Sequence, residues 1–322
     1  MKSMIGVRSG VSLSLALGAA ALLGGCAWEA NGADDLGGGA TTDVGSDGPT
    51  AEAIGEISQA LDSNWASGPY SWSQGQAAVP LRSVNTHHCV LTRAAGDFEG
   101  GGERVRVYTS GTTWYLGGQS QQEGVSGKAY CFNKNAFLAN GSGRWSSDEL
   151  WISASSNYSA GGWWGDAATM ISGIGGRLEN GAGMYVAQSS GAFTPSRLHV
   201  VSDGDPVRAF AHALLVGTQS SGRLVKFWGS EWSVSSRESS CSLNGRGDNE
   251  VQMAPVNDAM CYFSSVGVGD RGDFNGGGES VEIYPKVSSN NIEYWYLRAK
   301  SYYCDYHGDI QASARCMRRD QR

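Results

Sequence analysis

The sequence predicts an all-β protein: three repeated antiparallel β-meander units, held by disulfides, behind a signal peptide and a disordered tether. Three observations support this prediction. The 322 residues include 47 Gly, 11 Trp and 13 Tyr, one motif occurs three times, and the body of the chain carries an even number of cysteines. Abundant glycine and aromatic residues, with only 17% charged residues, are typical of strands joined by tight turns and not of a disordered chain.

Residues 1–26 have the pattern of a targeting signal. Lys2 and Arg8 form a positive region that precedes an apolar stretch, Val11 to Leu23, which is too short to span a bilayer. The stretch ends in Leu23-Gly24-Gly25-Cys26, which resembles the lipobox of bacterial lipoproteins and implies lipidation of Cys26. The residue after this cysteine is Ala27. The absence of aspartate at this position resembles the pattern of lipoproteins that enterobacteria sort to the outer membrane. We therefore expect an exported lipoprotein anchored in the outer membrane, at the cell surface or in the periplasm; an ordinary secretory peptide is the alternative.

Residues 27–61 are interpreted as an acidic, glycine-rich tether. Eight acidic residues and no Lys or Arg lie between positions 27 and 62, and a chain of this composition repels itself and extends. The tether ends in the string from Glu52 to Leu61, which resembles a segment just upstream of the mature body in many myxobacterial exported proteins. That resemblance implies a second processing site, with release near residue 61; a short amphipathic helix is the alternative.

The body of the chain is nearly neutral. Of the 24 basic and 31 acidic residues of the whole sequence, 22 and 23 lie in residues 63–322. No run of Lys and Arg is present to neutralise phosphates, so we expect no nucleic-acid partner.

An internal repeat organises the body. The motif GDFEGGGE, beginning at Gly96, is matched by GDFNGGGE, beginning at Gly272, and a degraded copy begins at Gly176. The first and third copies each continue into Trp-Tyr-Leu. These repeats either stand separately or close around a pseudo-threefold axis. Their expected bounds are 62–140 for repeat 1, 141–222 for the degenerate and cysteine-free repeat 2, and 223–322 for repeat 3.

Each motif leads into a predicted strand. Arg104 to Tyr108 and Ser280 to Tyr284 alternate polar and apolar residues, which is the period of a half-buried strand. The glycines before them supply the positive φ angles of a tight turn. Recurrent tryptophans are expected in the core: Trp114 and Trp295, and the pairs Trp65 and Trp72, Trp145 and Trp151, Trp228 and Trp232.

The six cysteines after Cys26 are read as three disulfides of an exported protein. The repeat aligns Cys89 and Cys131 with Cys261 and Cys316. In repeat 2 these positions fall near Thr169 and Ala213, so both partners of a bridge are missing together. We therefore pair Cys89 with Cys131 and Cys261 with Cys316, which leaves Cys241 with Cys304.

The turn of the third motif resembles the calcium loop of FG-GAP and VCBS repeats. The resemblance implies Asp270, Asp273, Asn275 and Glu279 as the remains of a calcium site. Calcium takes six to eight oxygen ligands, and two of the expected carboxylates are replaced by glycine and valine. We therefore expect no cofactor, and assign these side chains to hydrogen bonds within the turn.

No catalytic residue is assigned. The common zinc-protease and α/β-hydrolase motifs are absent from the sequence. The adjacent His87 and His88 are expected to point to opposite faces of a strand. The carboxylate pairs Glu99 with Glu103 and Glu279 with Glu282 are candidates for glycan hydrolysis, but Glu103 and Glu279 are repeat-equivalent, which favours a role in the turn.

Aromatic side chains in a Gly- and Ser-rich stretch provide the candidate binding surface, because indole and phenol rings stack on sugar rings. This surface consists of Trp163, Trp164 and Tyr158, with Asn157 as a hydrogen-bonding side chain. We expect a non-enzymatic binding or adhesion module for a glycan or a cell-envelope or matrix polymer, attached to the membrane through its lipid anchor. A secreted, glycan-degrading hydrolase that uses carboxylates and a structural envelope protein are the alternatives.

Overall fold

The structure is a computed structural model of the chain. It describes residues 61–63, 65–122, 124–137, 147–163, 167–187, 196–215, 227–236, 247–270, 272–301 and 309–319. All of them lie within one compact unit, Glu56–Arg322. The predicted signal peptide with its lipobox cysteine, the tether up to residue 60, and the predicted Cys241–Cys304 bridge lie outside the described residues.

The all-β prediction is confirmed. The described residues form nineteen strands and one 3₁₀ turn, Lys134–Phe137. No helix among them has the length and apolar character needed to cross a membrane. After the short β1 (Leu61–Ser63), each repeat supplies six strands. Repeat 1 has β2 (Ala66–Ser73), β3 (Val79–Ser83), β4 (His87–Asp97), β5 (Arg104–Ser110), β6 (Thr113–Gln119) and β7 (Ser126–Asn133); repeat 2 has β8 (Ser147–Ala154), β9 (Tyr158–Trp163), β10 (Ala167–Gly176), β11 (Gly183–Ala187), β12 (Ser196–Val201) and β13 (Val207–Leu215); repeat 3 has β14 (Trp232–Ser235), β15 (Gly247–Pro255), β16 (Ala259–Val268), β17 (Asn275–Val287), β18 (Glu293–Ser301) and β19 (Ile310–Arg318).

Both strands predicted after the motifs form, but only the first is half-buried. In β5, Val105 and Val107 are buried while Arg104 and Arg106 are partly exposed, which is the alternation of a strand with one face toward the core and one toward solvent. In β17, Ser280 and Glu282 are buried together with Val281 and Ile283, so the prediction of a half-buried strand was wrong there.

The strands assemble into three antiparallel sheets with one shared order. Sheet A runs β1-β2-β7-β4-β17-β18-β15, sheet B runs β3-β6-β5-β10-β13-β8, and sheet C runs β14-β19-β16-β11-β12-β9. Every sheet contains the first, sixth and third strands of one repeat. The third strand then pairs with the fourth strand of another repeat, which is followed by that repeat's fifth and second strands.

This exchange links the repeats in a closed cycle. Sheet A joins repeats 1 and 3, sheet B joins repeats 2 and 1, and sheet C joins repeats 3 and 2. The repeats therefore do not stand as separate beads. A simple meander would pair each strand with the next one along the chain. Here the third strand of each repeat lies between the sixth strand of its own repeat and the fourth strand of a neighbouring repeat, and the fourth strand of its own repeat belongs to a different sheet.

A bulge at one equivalent position marks the point where each third strand gains a second partner while it continues to pair with the sixth strand of its own repeat. Its residue is Thr92 in β4, Ser172 in β10 and Ser264 in β16, and all three are buried. The residues that follow the bulge pair with the fourth strand of the neighbouring repeat. Because a bulge bends a strand and increases its twist, it accounts for the turn of the strand toward that neighbour.

A ring of three backbone hydrogen bonds joins the motifs at the centre of the cycle. The Phe98 N–H donates to the Phe274 carbonyl at 2.6 Å, the Phe274 N–H to the Leu178 carbonyl at 2.9 Å, and the Leu178 N–H to the Phe98 carbonyl at 2.9 Å. These are the third residues of the three motif copies, and all are buried. The Phe98 and Phe274 rings also pack edge to face at 5.3 Å. The repeats thus close around a pseudo-threefold axis.

The two disulfides predicted within the described residues are present, Cys89–Cys131 and Cys261–Cys316. Each connects the third and sixth strands of its repeat. Trp114 and Trp295 are buried as predicted. Their indole N–H groups donate to the carbonyls of residues 87 and 259, each two residues before a bonded cysteine.

The tryptophan pairs do not behave alike. Trp65 and Trp72 are buried, and Trp228 and Trp232 pack half-buried against the core. Trp145 lies outside the described residues. The prediction was wrong for its partner Trp151, which is 63% exposed. Trp151 lies on β8, the last strand of sheet B, and is paired there with Phe210 on the solvent-facing side of the sheet.

Candidate binding groove

Two of the four residues of the predicted binding surface are described at side-chain level. Tyr158 starts β9 and is 55% exposed. Asn157 precedes it, and its Oδ1 accepts a hydrogen bond from the Ser202 N–H at 3.3 Å. Trp163 ends β9 opposite Ser196, while Trp164 lies outside the described residues. This surface therefore keeps an exposed aromatic ring at one edge of sheet C, and its role stays a prediction.

A groove of about 360 Å³ lies on the solvent-exposed face of sheet B. It crosses four neighbouring strands, β5, β10, β13 and β8, which come from two different repeats. Its lining consists of three arginines, two aromatic residues and one serine: Arg104, Arg106, Arg208, Phe210, Trp151 and Ser153.

Strand register explains why these side chains meet. Arg104 lies opposite Gly175 of β10, and Gly175 lies opposite Arg208 of β13. In the next row on the same face, Arg106 lies opposite Gly173, which lies opposite Phe210 and then Trp151. The strand between β5 and β13, β10, therefore contributes only Gly173 and Gly175 to these two rows. These two glycines form the floor of the groove, and side chains from β5, β13 and β8 form its walls.

The two glycines cannot be replaced without moving the backbone. A Cβ atom on Gly173 would lie 2.9 Å from the carbonyl oxygen of Val105. A Cβ atom on Gly175 would lie 2.7 Å from the Cβ of Arg104. Both contacts are far closer than van der Waals contact, so the close approach of β5 to β10 itself requires the glycine floor.

The groove carries a cluster of positive charges. None of its six lining residues is acidic. Burial lowers the pKa of Arg104 below its ordinary value, and the nearby charges of Arg106 and Arg208 lower it further. Arg104 Nη2 donates to Oε1 of Gln119 at 2.8 Å, whereas the buried Nε of Arg208 donates no hydrogen bond within the described residues.

Aromatic rings hold one of the arginines in place. The guanidinium carbon of Arg106 lies 4.6 Å from the ring centre of Tyr108 and 5.0 Å from that of Phe210. Tyr108 in turn stacks on Tyr115 at 5.8 Å. Cation–π contacts of this kind fix the side chain beside the groove, so part of the positive charge is ordered within the protein itself.

The corresponding position of sheet A carries compensated charge. Here Glu282 replaces Arg106, and it lies opposite Arg93, the first residue after the bulge. Its carboxylate is 2.8 Å from the Lys128 ammonium and 3.8 Å from Nε of Arg93. These ion pairs tie the strands of two repeats together and leave no groove of one charge sign.

The corresponding position of sheet C is uncharged. A groove of about 440 Å³ lies there, with lining residues that carry only hydroxyl, amide and apolar side chains. Its polar members are Ser233, Ser235, Ser265, Ser313 and Gln311. Of these three equivalent places, sheet B alone combines clustered arginines with an exposed indole, and we therefore take its groove as the candidate site.

Of the four side chains assigned to hydrogen bonds within the turn, Glu279 makes one with a neighbouring backbone group. Oε2 of Glu279 accepts a hydrogen bond from the Gly276 N–H at 2.9 Å. In repeat 1, Oδ1 of Asp97 accepts from the Glu99 N–H at 3.0 Å. Among the described residues no group of three or more His, Cys, Asp and Glu side chains is placed to hold a metal ion. These contacts are hydrogen bonds within turns.

The groove is not predicted from the sequence, because its lining residues are distant along the chain. The alternation in β5 does place Arg104 and Arg106 on one face, and this is a signal that a sequence contains. Arg208 and Trp151 come from another repeat, and only the pairing of β5 with β10 brings them to the same face.

No protein-family model, no curated protein and no solved structure matches this chain.

Proposed function

We propose that the protein is a non-enzymatic binding module of the cell envelope, which attaches to a glycan or matrix polymer through the groove on sheet B. One observation carries this proposal: the indole of Trp151 is 63% exposed beside three arginines. A large aromatic ring exposed next to hydrogen-bond donors has the two components that sugar recognition needs, a flat apolar face and polar groups.

The proposal includes export to the envelope. The resemblance of Leu23 to Cys26 to a lipobox supports a lipid anchor, and the acidic stretch up to residue 61 would serve as its tether. The disulfides Cys89–Cys131 and Cys261–Cys316 also support export, because disulfides form and persist in oxidising compartments.

The test compares two exposed aromatic residues on different sheets. The full chain and its Trp151→Ala and Tyr158→Ala variants are passed over immobilised glycans and cell-wall polymers, and retention is measured. Trp151 and Tyr158 are matched in exposure, at 63% and 55%, so both variants should fold. We expect retention to fall in Trp151→Ala and to persist in Tyr158→Ala.

Three results would contradict the proposal. Loss of retention only in Tyr158→Ala would place the site on the β9 surface. Failure of the unaltered chain to bind any polymer would favour a structural envelope protein. Release of reducing ends from a bound glycan would indicate the hydrolase.

A further inference from the structure

We propose that the groove on sheet B recognises a negatively charged saccharide, whose carboxylate or sulfate group lies between Arg104 and Arg208 while a sugar ring stacks on Trp151. This inference rests on the proposed function, because it names the class of glycan that the same groove takes.

The charge of the groove selects for an anion. Its lining holds three guanidinium groups and no carboxylate. A guanidinium has five N–H donors in a planar fork that matches carboxylate and sulfate oxygens. Arg104 donates one hydrogen bond among the described residues, to Gln119, so most of its donors remain for a ligand.

The spacing of the two outer arginines suits one anionic group between them. Arg104 and Arg208 lie on strands that flank β10, opposite the same residue, Gly175. Neighbouring strands are about 4.8 Å apart, so roughly 10 Å separates the two backbones across a residue without a side chain. An anion above Gly175 would be within reach of both side chains.

The groove is organised before any ligand binds. Arg106 is held between Tyr108 and Phe210, and the glycine floor is fixed by the close approach of β5 to β10. Side chains that are already ordered lose less conformational entropy on binding. The site therefore resembles a formed recognition surface and not a chance collection of surface charges.

The extent of the charge favours a saccharide over nucleic acid. Proteins that bind a phosphate backbone make about 6–10 phosphate contacts, whereas this groove offers three arginines. The body as a whole, the groove included, is nearly neutral, with 22 basic and 23 acidic residues in positions 63–322. The exposed indole beside the arginines instead matches a polymer that alternates flat rings with single anionic groups.

The experiment measures affinity of the full chain for four polymers at two salt concentrations. Polygalacturonate carries carboxylates, chondroitin sulfate carries sulfates and carboxylates, dextran is neutral, and duplex DNA carries phosphates on a different scaffold. We expect binding to one or both acidic glycans that weakens as salt rises, and at least tenfold weaker binding to dextran and DNA. The two acidic glycans distinguish a carboxylate from a sulfate ligand.

Variants then locate the site. Arg104→Gln and Arg208→Gln each remove one charge, and Arg197→Gln removes an exposed charge from β12 of sheet C as the matched control. Since hydrogen bonds to charged groups contribute about 1.5–3 kcal/mol, each groove variant should weaken acidic-glycan binding by roughly 10- to 100-fold. The control should bind as the unaltered chain does, and unchanged thermal unfolding would show that the groove variants are folded.

The outcomes separate this inference from the proposed function. Binding to dextran that is as tight as to the acidic glycans, lost in Trp151→Ala but unaffected in the arginine variants, overturns the inference and keeps the proposed function. Equal binding to DNA and acidic glycans overturns the saccharide assignment. Absence of binding to all the glycans overturns both.

Discussion

Thr169 on β10 lies directly opposite Ala213 on β13, at the position where bonded cysteines face each other in the other two repeats. Both residues are fully buried. Repeat 2 therefore has the same pairing of its third and sixth strands as the other two repeats, with threonine and alanine at the two positions where they have bonded cysteines.

This register predicts that a third equivalent disulfide can be introduced. The double variant Thr169→Cys with Ala213→Cys should oxidise to a bridge, because two repeats already bond cysteines in this register. Closing a loop of about 44 residues should stabilise the fold by about 4 kcal/mol in the chain-entropy model. Peptide mapping without reductant identifies the bridge, and thermal unfolding measures its effect.

The single variant Thr169→Cys is the control for this experiment, since it changes the buried side chain without closing a loop. Failure of the double variant to oxidise, or mixed bridges with Cys89 or Cys261, would contradict the alignment of repeat 2. The same map tests the predicted pairing of Cys241 with Cys304.

The burial of the Phe98 side chain at the pseudo-threefold axis predicts a large effect for Phe98→Ala. Phe98 is completely buried and packs against Phe274, and truncation of a buried phenylalanine costs about 3–5 kcal/mol. Because the ring joins all three repeats, we expect one cooperative transition at a lower temperature. Calorimetry measures both properties.

Tyr185→Ala is the comparison, since Tyr185 is 41% exposed and surface substitutions usually change stability by within about 0.5 kcal/mol. If Phe98→Ala unfolded in two separate steps, the repeats would be independent and the closed cycle would be wrong.

Two buried histidines predict that stability falls in acid. His88 and His212 are buried with their rings 6.1 Å apart, whereas His87 is only half-buried, as expected for neighbours on opposite faces. The pKa of His212 is lowered to about 4, chiefly by burial; a hydrogen bond to the Val107 carbonyl opposes this shift, and the nearby charge of Arg106 contributes to it. Burial, His212 and Lys134 lower the pKa of His88 well below its ordinary value.

The unfolded chain therefore takes up protons near pH 6.5 that the folded protein does not accept. The free energy of unfolding should be highest above about pH 6.5 and fall as the pH drops toward 4, by about 3 kcal/mol for His212 alone. Urea unfolding between pH 4 and 8 measures this slope. His212→Gln should be less stable but show a shallower slope, while His199→Gln, on the surface, should keep most of it. An unchanged slope in His212→Gln would contradict the assignment.

The lipobox resemblance predicts the location of the protein. Cys26→Ala should move it from the membrane fraction to a soluble or uncleaved form, because lipid chains contribute about 0.8 kcal/mol per buried CH₂. Cell fractionation and labelling with a palmitate analogue measure this. An unaltered protein that is fully soluble and unlabelled would contradict lipidation, and a new N-terminus near Leu61 would instead support processing after Ala60.

The sequence by itself determined the local features of this protein. Alternation in Arg104 to Tyr108 predicted a strand, and the repeat predicted two disulfides, because strand period and bridge position depend on residues within one repeat. The burial of Trp114 and Trp295 followed for the same reason.

Tertiary structure decided what depends on pairing between repeats. The sequence contains no run of basic residues, yet the pairing of β5 with β10 brings Arg104 and Arg106 to the same face as Arg208. Trp151 is exposed while Trp72 of repeat 1 is buried, because the strand register places Trp151 at the position of Ser71 and Ile152 at the position of Trp72. The physical reason is that the period of a strand shows which of its own residues share a face. Which side chains of other strands join that face depends on the pairing between repeats, which begins at the bulges at Thr92, Ser172 and Ser264.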